Sequence, residues 1–158
     1  MKKILSGIAV FFLFQTVIAQ TSNDNRIPQP VLAAFTQKFP DGQLQKWENR
    51  KEGYIATFTT DGKEHLAYYS PDGRWQATEA PVKWTWHLPQ SVQAAWNNSE
   101  YTGWYVHKIK RVHTPEGQLY VLHLNNGPLL SSDKYDAFRE DHVLYFTAEG
   151  ALVRTERI

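Results

Sequence analysis

The stretch PQPVLAAF at residues 28–35 returns as PQSVQAAW at residues 89–96, with five of the eight positions identical. Three further matches follow in the same order along the chain. They pair YIATF at 54–58 with YVLHL at 120–124, YYSPDG at 68–73 with YFTAEG at 145–150, and the dipeptide TE at 78–79 with TE at 155–156. Because four ordered matches are hard to assign to chance, the sequence predicts two copies of one structural unit. The second copy carries insertions near residues 101–114 and 125–141.

Each copy opens with a short helical pattern. Pro28 and Pro89 suit a first helical turn, where a missing backbone donor does no harm. Apolar residues then recur at helical spacing in the first copy, as at Val31, Phe35 and Phe39. The pattern predicts helices over residues 28–39 and 89–98.

Alternating strand patterns follow each predicted helix. Asp61-Gly62 and Asp72-Gly73 separate alternating runs, which is a strong signal for β-hairpins. The predicted strands are 43–49, 53–59, 64–70 and 74–80 in the first copy, and 104–113, 118–124, 142–147 and 151–157 in the second. The predicted fold class is therefore α+β, with two tandem repeats at 27–86 and 87–158. Each repeat is one helix followed by a four-stranded antiparallel meander sheet, whose one face the helix covers.

The first 19 residues have the layout of a secretory signal peptide. Lys2 and Lys3 precede the mostly apolar run 4–18, and Ala19 supplies a small residue at the expected cleavage point. A membrane anchor is the alternative, but the run is shorter than the roughly 20 residues of a spanning helix. We expect cleavage after residue 19, a flexible lead-in at 20–26, and a mature chain in the periplasm or outside the cell that does not span the membrane.

Composition narrows the possible functions. The chain has no cysteine, which excludes disulfides, thiolate metal sites and a cysteine nucleophile. Without Lys2 and Lys3 the mature chain has 15 basic and 16 acidic residues, so its formal charge is −1. A near-neutral chain has no net attraction for nucleic acid, which we do not expect as a partner.

One set of residues stands in a distinctive order and spacing along the chain: Pro28, Val31, Phe35, Phe39-Pro40, Trp47, Tyr54, Phe58, Asp72-Gly73, Thr78-Glu79 and Leu88-Pro89. This order and spacing resemble the PepSY-like family, which is related in fold to the beta-lactamase inhibitor protein. The resemblance covers about residues 26–158, without the disulfides of that inhibitor, and it implies an α-β4 tandem, export and no catalytic centre. That inhibitor binds its target enzyme on an aromatic-rich sheet surface.

Catalytic and metal-binding patterns are weak. The sequence has no nucleophile elbow, no phosphate-binding glycine loop and no pair of histidines at zinc-protease spacing. His113 with Glu116 could meet across a turn, and an acidic cluster in the second insertion could attract calcium, but ordinary surface roles fit both better. We therefore predict no catalytic residue, no metal site and no cofactor. The acidic cluster consists of Asp133, Asp136, Glu140 and Asp141.

Strand parity predicts a second, helix-free face. Successive strand residues point to opposite faces, so the side chains that alternate with the predicted core should point away from the helices. This face could instead be buried between the two repeats or between two subunits, and both readings stay open. The predicted partner-binding residues are Leu66, Tyr68, His123, Val143 and Tyr145.

Two functions remain. The first is an exported, non-enzymatic binding module, inhibitor-like in one form, that docks an unidentified protein partner on this aromatic face. The alternative is a small-ligand or metal-responsive cell-envelope protein that uses the histidines and the acidic insertion.

Overall fold

The computed structural model describes residues 27–127 and 139–158 of the 158-residue chain. The signal-peptide and lead-in predictions, and the acidic residues Asp133 and Asp136, lie outside these ranges. Two α-helices and eight β-strands make up the regular structure of the described residues. They are α1 (Gln29–Lys38), β1 (Gln43–Arg50), β2 (Gly53–Thr60), β3 (Lys63–Tyr69), β4 (Trp75–Pro81), α2 (Gln90–Asn97), β5 (Tyr105–Thr114), β6 (Gly117–Asn125), β7 (Asp141–Thr147) and β8 (Leu152–Arg157).

Every predicted helix and strand is present, with ends that differ by one residue at most, and the α+β class is confirmed. The helices begin as their prolines dictate, with Pro28 and Pro89 as the residues before the first turns. The Asp61-Gly62 hairpin is also confirmed. Both residues have positive φ, 51° and 69°, which is the backbone of a tight two-residue turn.

The two halves share one sheet, which is the main difference from the predicted pair of four-stranded sheets. All eight strands pair in chain order, each antiparallel to the next. Strand β4 joins β5 through the partners Thr78↔His113 and Ala80↔Arg111. Two separate sheets would each leave an inner edge with unpaired backbone groups, and this junction satisfies both edges.

Both helices lie on the same face of the sheet. In the first half α1 buries Val31 and Phe35 against β2 and β3, and in the second half α2 buries Val92 against β6 and β7. Buried apolar side chains form one core in each half. The first core contains Ile27, Val31, Phe35, Ala56, Phe58, Ala67 and Tyr69; the second contains Leu88, Val92, Tyr101, Ile109, Tyr120, Leu122, Leu124, Leu144 and Phe146.

A short 3-10 helix at Thr85–His87 connects the halves and was not predicted. Trp84 precedes this helix and Trp86 lies within it, and their indole rings stack with centroids 5.0 Å apart and planes 11° apart. Both rings are exposed, Trp86 at 63%. Two exposed tryptophans therefore mark the linker.

Candidate functional site

The face opposite the helices is continuous across all eight strands. Directly paired residues of antiparallel strands lie on the same face, so the registers carry the assignment from one strand to the next. Leu66 pairs with Glu79, Glu79 with Val112, and Val112 with Leu119. We call this surface the helix-free face.

All five predicted partner-binding residues have the predicted orientation, on the helix-free face. Leu66, Tyr68, His123 and Tyr145 are half-buried there. Val143 is not available as expected, because only 3% of it is exposed. The flanking strands place His123 and Glu156 directly beside it, and these longer side chains shield the short valine.

The predicted residues form two groups rather than one. Leu66 and Tyr68 lie on β3, whereas His123 and Tyr145 lie on β6 and β7. Four strand spacings separate β3 from β7, which is about 19 Å at the usual distance between strands. Charged side chains of the strands between them join the two groups.

A tyrosine, a glutamate and a basic side chain form a unit around Tyr68. Lys110 Nζ lies 2.6 Å from Glu79 Oε2, and both side chains are mostly shielded from solvent, at 23% and 19% exposure. Burial of the phenol, followed by the charge of Glu79 and a hydrogen bond to it, raises the pKa of Tyr68 to about 12. The phenol is therefore a hydrogen-bond donor throughout the physiological pH range.

A second unit repeats this arrangement around Tyr145. The Tyr145 hydroxyl donates to Glu156 Oε2 at 2.9 Å, and Arg154 contacts the same carboxylate. The Arg154 guanidinium carbon lies 4.4 Å from the centroid of the Tyr145 ring, within the range of a cation–π contact. The tyrosine is thus held from its polar tip and from its ring face.

The four charged members of these units were not among the predicted site residues. Glu79 and Glu156 stand in the matched TE dipeptides, and that equivalence was the signal available for them. Lys110 and Arg154 have no such sequence match. Lys110 reaches Glu79 only because β4 pairs with β5.

The surroundings of His123 favour its uncharged form. Burial first, and then the positive charges of Lys110 and Lys108, hold the pKa of His123 below its ordinary value. The ring of His107 lies 6.1 Å from that of His123. No group of three or more metal-ligating side chains in the described residues is placed to hold a metal ion.

Three of the other candidate metal ligands contact protein side chains. Glu140 Oε1 lies 3.1 Å from Arg157, and Asp141 Oδ1 lies 3.0 Å from Arg139. The ring of His113 packs 5.6 Å from that of Trp75. Glu140 and Asp141, the described acidic residues of this insertion, are therefore both in ion pairs.

The family model described as "Putative beta-lactamase-inhibitor-like, PepSY-like" matches the chain at residues 19–70 and again at 54–154. The chain belongs to the PepSY-like family. The two overlapping matches cover nearly all of the described residues. A search of curated proteins finds no match for this PepSY-like chain.

Solved structures from Bacteroides share the fold. A BLIP-like protein from Bacteroides fragilis is 22% identical over 83% of this chain and 86% of its own, with a TM-score of 0.69. A member of a family of unknown function from Bacteroides uniformis is 20% identical, covers 82% and 88%, and has a TM-score of 0.70. A protein from Bacteroides eggerthii, described as "putative periplasmic", is 20% identical over 83% and 88%, with a TM-score of 0.67. Within the described residues of the PepSY-like chain, no helix has the length and apolar character needed to cross a bilayer.

Proposed function

We propose that this PepSY-like protein is an exported, non-enzymatic binding module whose helix-free face docks a protein partner. The observation that carries the proposal is the pair of units built on Tyr68 and Tyr145, which occupy the face that neither helix covers. Tyrosine offers apolar area with a polar tip and loses little rotamer freedom, so it suits a protein interface. Because each tyrosine already has an ordered partner, docking would cost less conformational entropy than at a loose surface.

We propose that residues 27–86 and 87–158 are two copies of one unit and that both copies present similar surfaces to the partner. Irregularities of the sheet support this, because they recur at matching positions in the two halves. Register shifts fall at Leu44/Lys46 in β1 and Val106/Lys108 in β5, and at Tyr68/Tyr69 in β3 and Tyr145/Phe146 in β7.

Export rests on the first 19 residues, which we propose are removed as a signal peptide. The basic start, the apolar run and Ala19 support cleavage. The fold shared with a protein described as "putative periplasmic" agrees with a location outside the cytoplasm. We place the mature chain in the periplasm or outside the cell.

Alanine in place of Tyr68 or Tyr145 is expected to weaken partner binding by about 1–3 kcal/mol each, as at interface hot spots. The immobilised chain would retain the partner from a native cell-envelope extract, and titration with the purified partner would give the affinities. Leu152→Ala is the matched control, because Leu152 is exposed at 44% and its register with Phe146 places it on the helix side. This control should bind like the wild type.

Two results would contradict the proposal. Equal affinity of the wild type and the Tyr68→Ala/Tyr145→Ala double variant would remove the face from the interface. A dimeric wild type with a monomeric double variant would show that the face pairs two copies of this chain. Circular dichroism of each variant checks that the fold is intact.

A further inference from the structure

A groove runs along the helix side of the sheet at the junction of the two halves. Helix α1 packs on the first core and α2 on the second, and Thr78 and Ala80 of β4 belong to neither core. Two adjoining cavities of about 350 and 640 Å³ lie there, and they share Ala80 and Arg111 as walls. Thr78 and Ala80, which have small side chains, form the floor of the groove.

The groove is lined by positive charge. Lys38 and Arg111 line the first cavity, and Lys63, Lys83 and Arg111 line the second. All four side chains are exposed, and none of the described residues that line either cavity is Asp or Glu. We call this surface the cationic groove.

These four cations are among those that form no ion pair with a carboxylate of the described residues. Of the thirteen Lys and Arg residues at 27–127 and 139–158, seven form ion pairs with carboxylates. That leaves six, and four of these six line the cationic groove. The other two, Lys51 and Lys108, lie elsewhere on the surface.

One wall of the groove is aromatic and ordered. The indole N–H of Trp75 donates to Thr78 Oγ1 at 2.9 Å, and Lys38 Nζ lies 3.5 Å from the centroid of the same indole ring. Burial first, and then the charges of Arg111 and Lys63, hold the pKa of His65 below its ordinary value. Arg111 and Lys63 thus make the environment of His65 inside the groove positive.

The spacing of the charges fits an extended chain rather than a single anion. The groove follows β4 and the two residues after it, from Trp75 to Lys83. These eight residue steps span about 26 Å at the rise of a strand. Lys38 lies at the Trp75 end, and Lys83 lies at the other. A run of carboxylates on an extended polypeptide would meet such a row, because self-repulsion keeps acidic segments extended.

We propose that the cationic groove binds an extended acidic segment of a protein, through carboxylates that pair with its unpaired lysines and arginine. This site lies on the opposite face from the tyrosine units, so it is a second binding surface and does not rest on the proposed function of the helix-free face.

The test uses an end-blocked hexaglutamate peptide and the purified chain, with calorimetric titration. Hexaglutamate should bind, and its affinity should fall steeply as salt rises from about 50 to about 500 mM. Hexaglutamine should not bind. The Lys38→Gln/Arg111→Gln variant should lose about tenfold or more in affinity, whereas the matched Lys51→Gln/Lys108→Gln variant, with the same charge change, should lose less than about twofold.

Three outcomes would overturn the proposal: no binding of hexaglutamate, equal losses in the two double variants, or binding of a sulfated oligosaccharide without binding of hexaglutamate. If the Lys38→Gln/Arg111→Gln variant melts at a lower temperature, the Lys63→Gln/Lys83→Gln variant decides instead, with the same expected loss. The Tyr68→Ala/Tyr145→Ala variant should bind hexaglutamate like the wild type, which separates this test from that of the helix-free face.

Discussion

Replacing Phe58 by alanine is expected to lower the free energy of unfolding by about 4 kcal/mol. The side chain is 1% exposed, and its ring centroid lies 4.5 Å from that of Phe39 and 5.3 Å from that of Phe35. Removing it deletes buried apolar area and leaves a cavity beside Phe35 and Phe39. Urea denaturation of the two proteins measures the difference.

Val153→Ala is the control for this substitution. Val153 also lies in a strand, but 55% of it is exposed, so its truncation should change stability by less than about 0.5 kcal/mol. Because β4 pairs with β5, we expect the Phe58→Ala protein to unfold both halves in one transition. Two separate transitions, or a loss below about 1 kcal/mol, would contradict this description of the core.

Replacing Gly150 by alanine is expected to destabilise the fold by about 3 kcal/mol. Its φ of +91° is strained for other residues, at roughly 1–2 kcal/mol, and a Cβ there would lie 2.5 Å from the carbonyl oxygen of Ser91 at the start of α2. The backbone of a helix cannot give way as a flexible side chain would. The turn and the helix must therefore separate, which thermal or urea unfolding would report.

Gly62→Ala is the matched control. Gly62 also has a positive φ, +69°, but no atom lies within 4 Å of a Cβ placed there, so its replacement should cost only about 1 kcal/mol. Gly73 repeats the Gly150 contact in the first half, where its Cβ would lie 2.7 Å from the Pro30 carbonyl oxygen. Equal effects at Gly62 and Gly150 would show that the close approach to the helix does not matter.

Local patterns were enough to predict the helices and strands. Prolines before the helices and the Asp61-Gly62 turn act within a few residues, and the alternation in β2, β3, β6 and β7 identified both faces of each strand. Hence the orientation of Tyr68 and Tyr145 was predictable without knowledge of the whole sheet.

The remaining features depend on contacts between distant parts of the chain. The β4–β5 junction decides that Lys110 meets Glu79, 31 residues away, and no local pattern encodes this pairing. The burial of Val143 depends on the lengths of its neighbours on β6 and β8. The cationic groove exists only because two separately helix-covered halves share one sheet.

The central claim, that the helix-free face docks a protein partner, is tested most directly by site-specific photo-crosslinking in the native cell envelope. A photoreactive residue would replace Tyr68 or Tyr145 in one set of proteins. In the control set it would replace Ala33 or Ala94, which are exposed at equivalent positions of α1 and α2. We predict a discrete adduct with one and the same protein from positions 68 and 145 and no adduct from 33 and 94. An adduct from the helix positions alone, or no adduct from any of the four, would contradict the account.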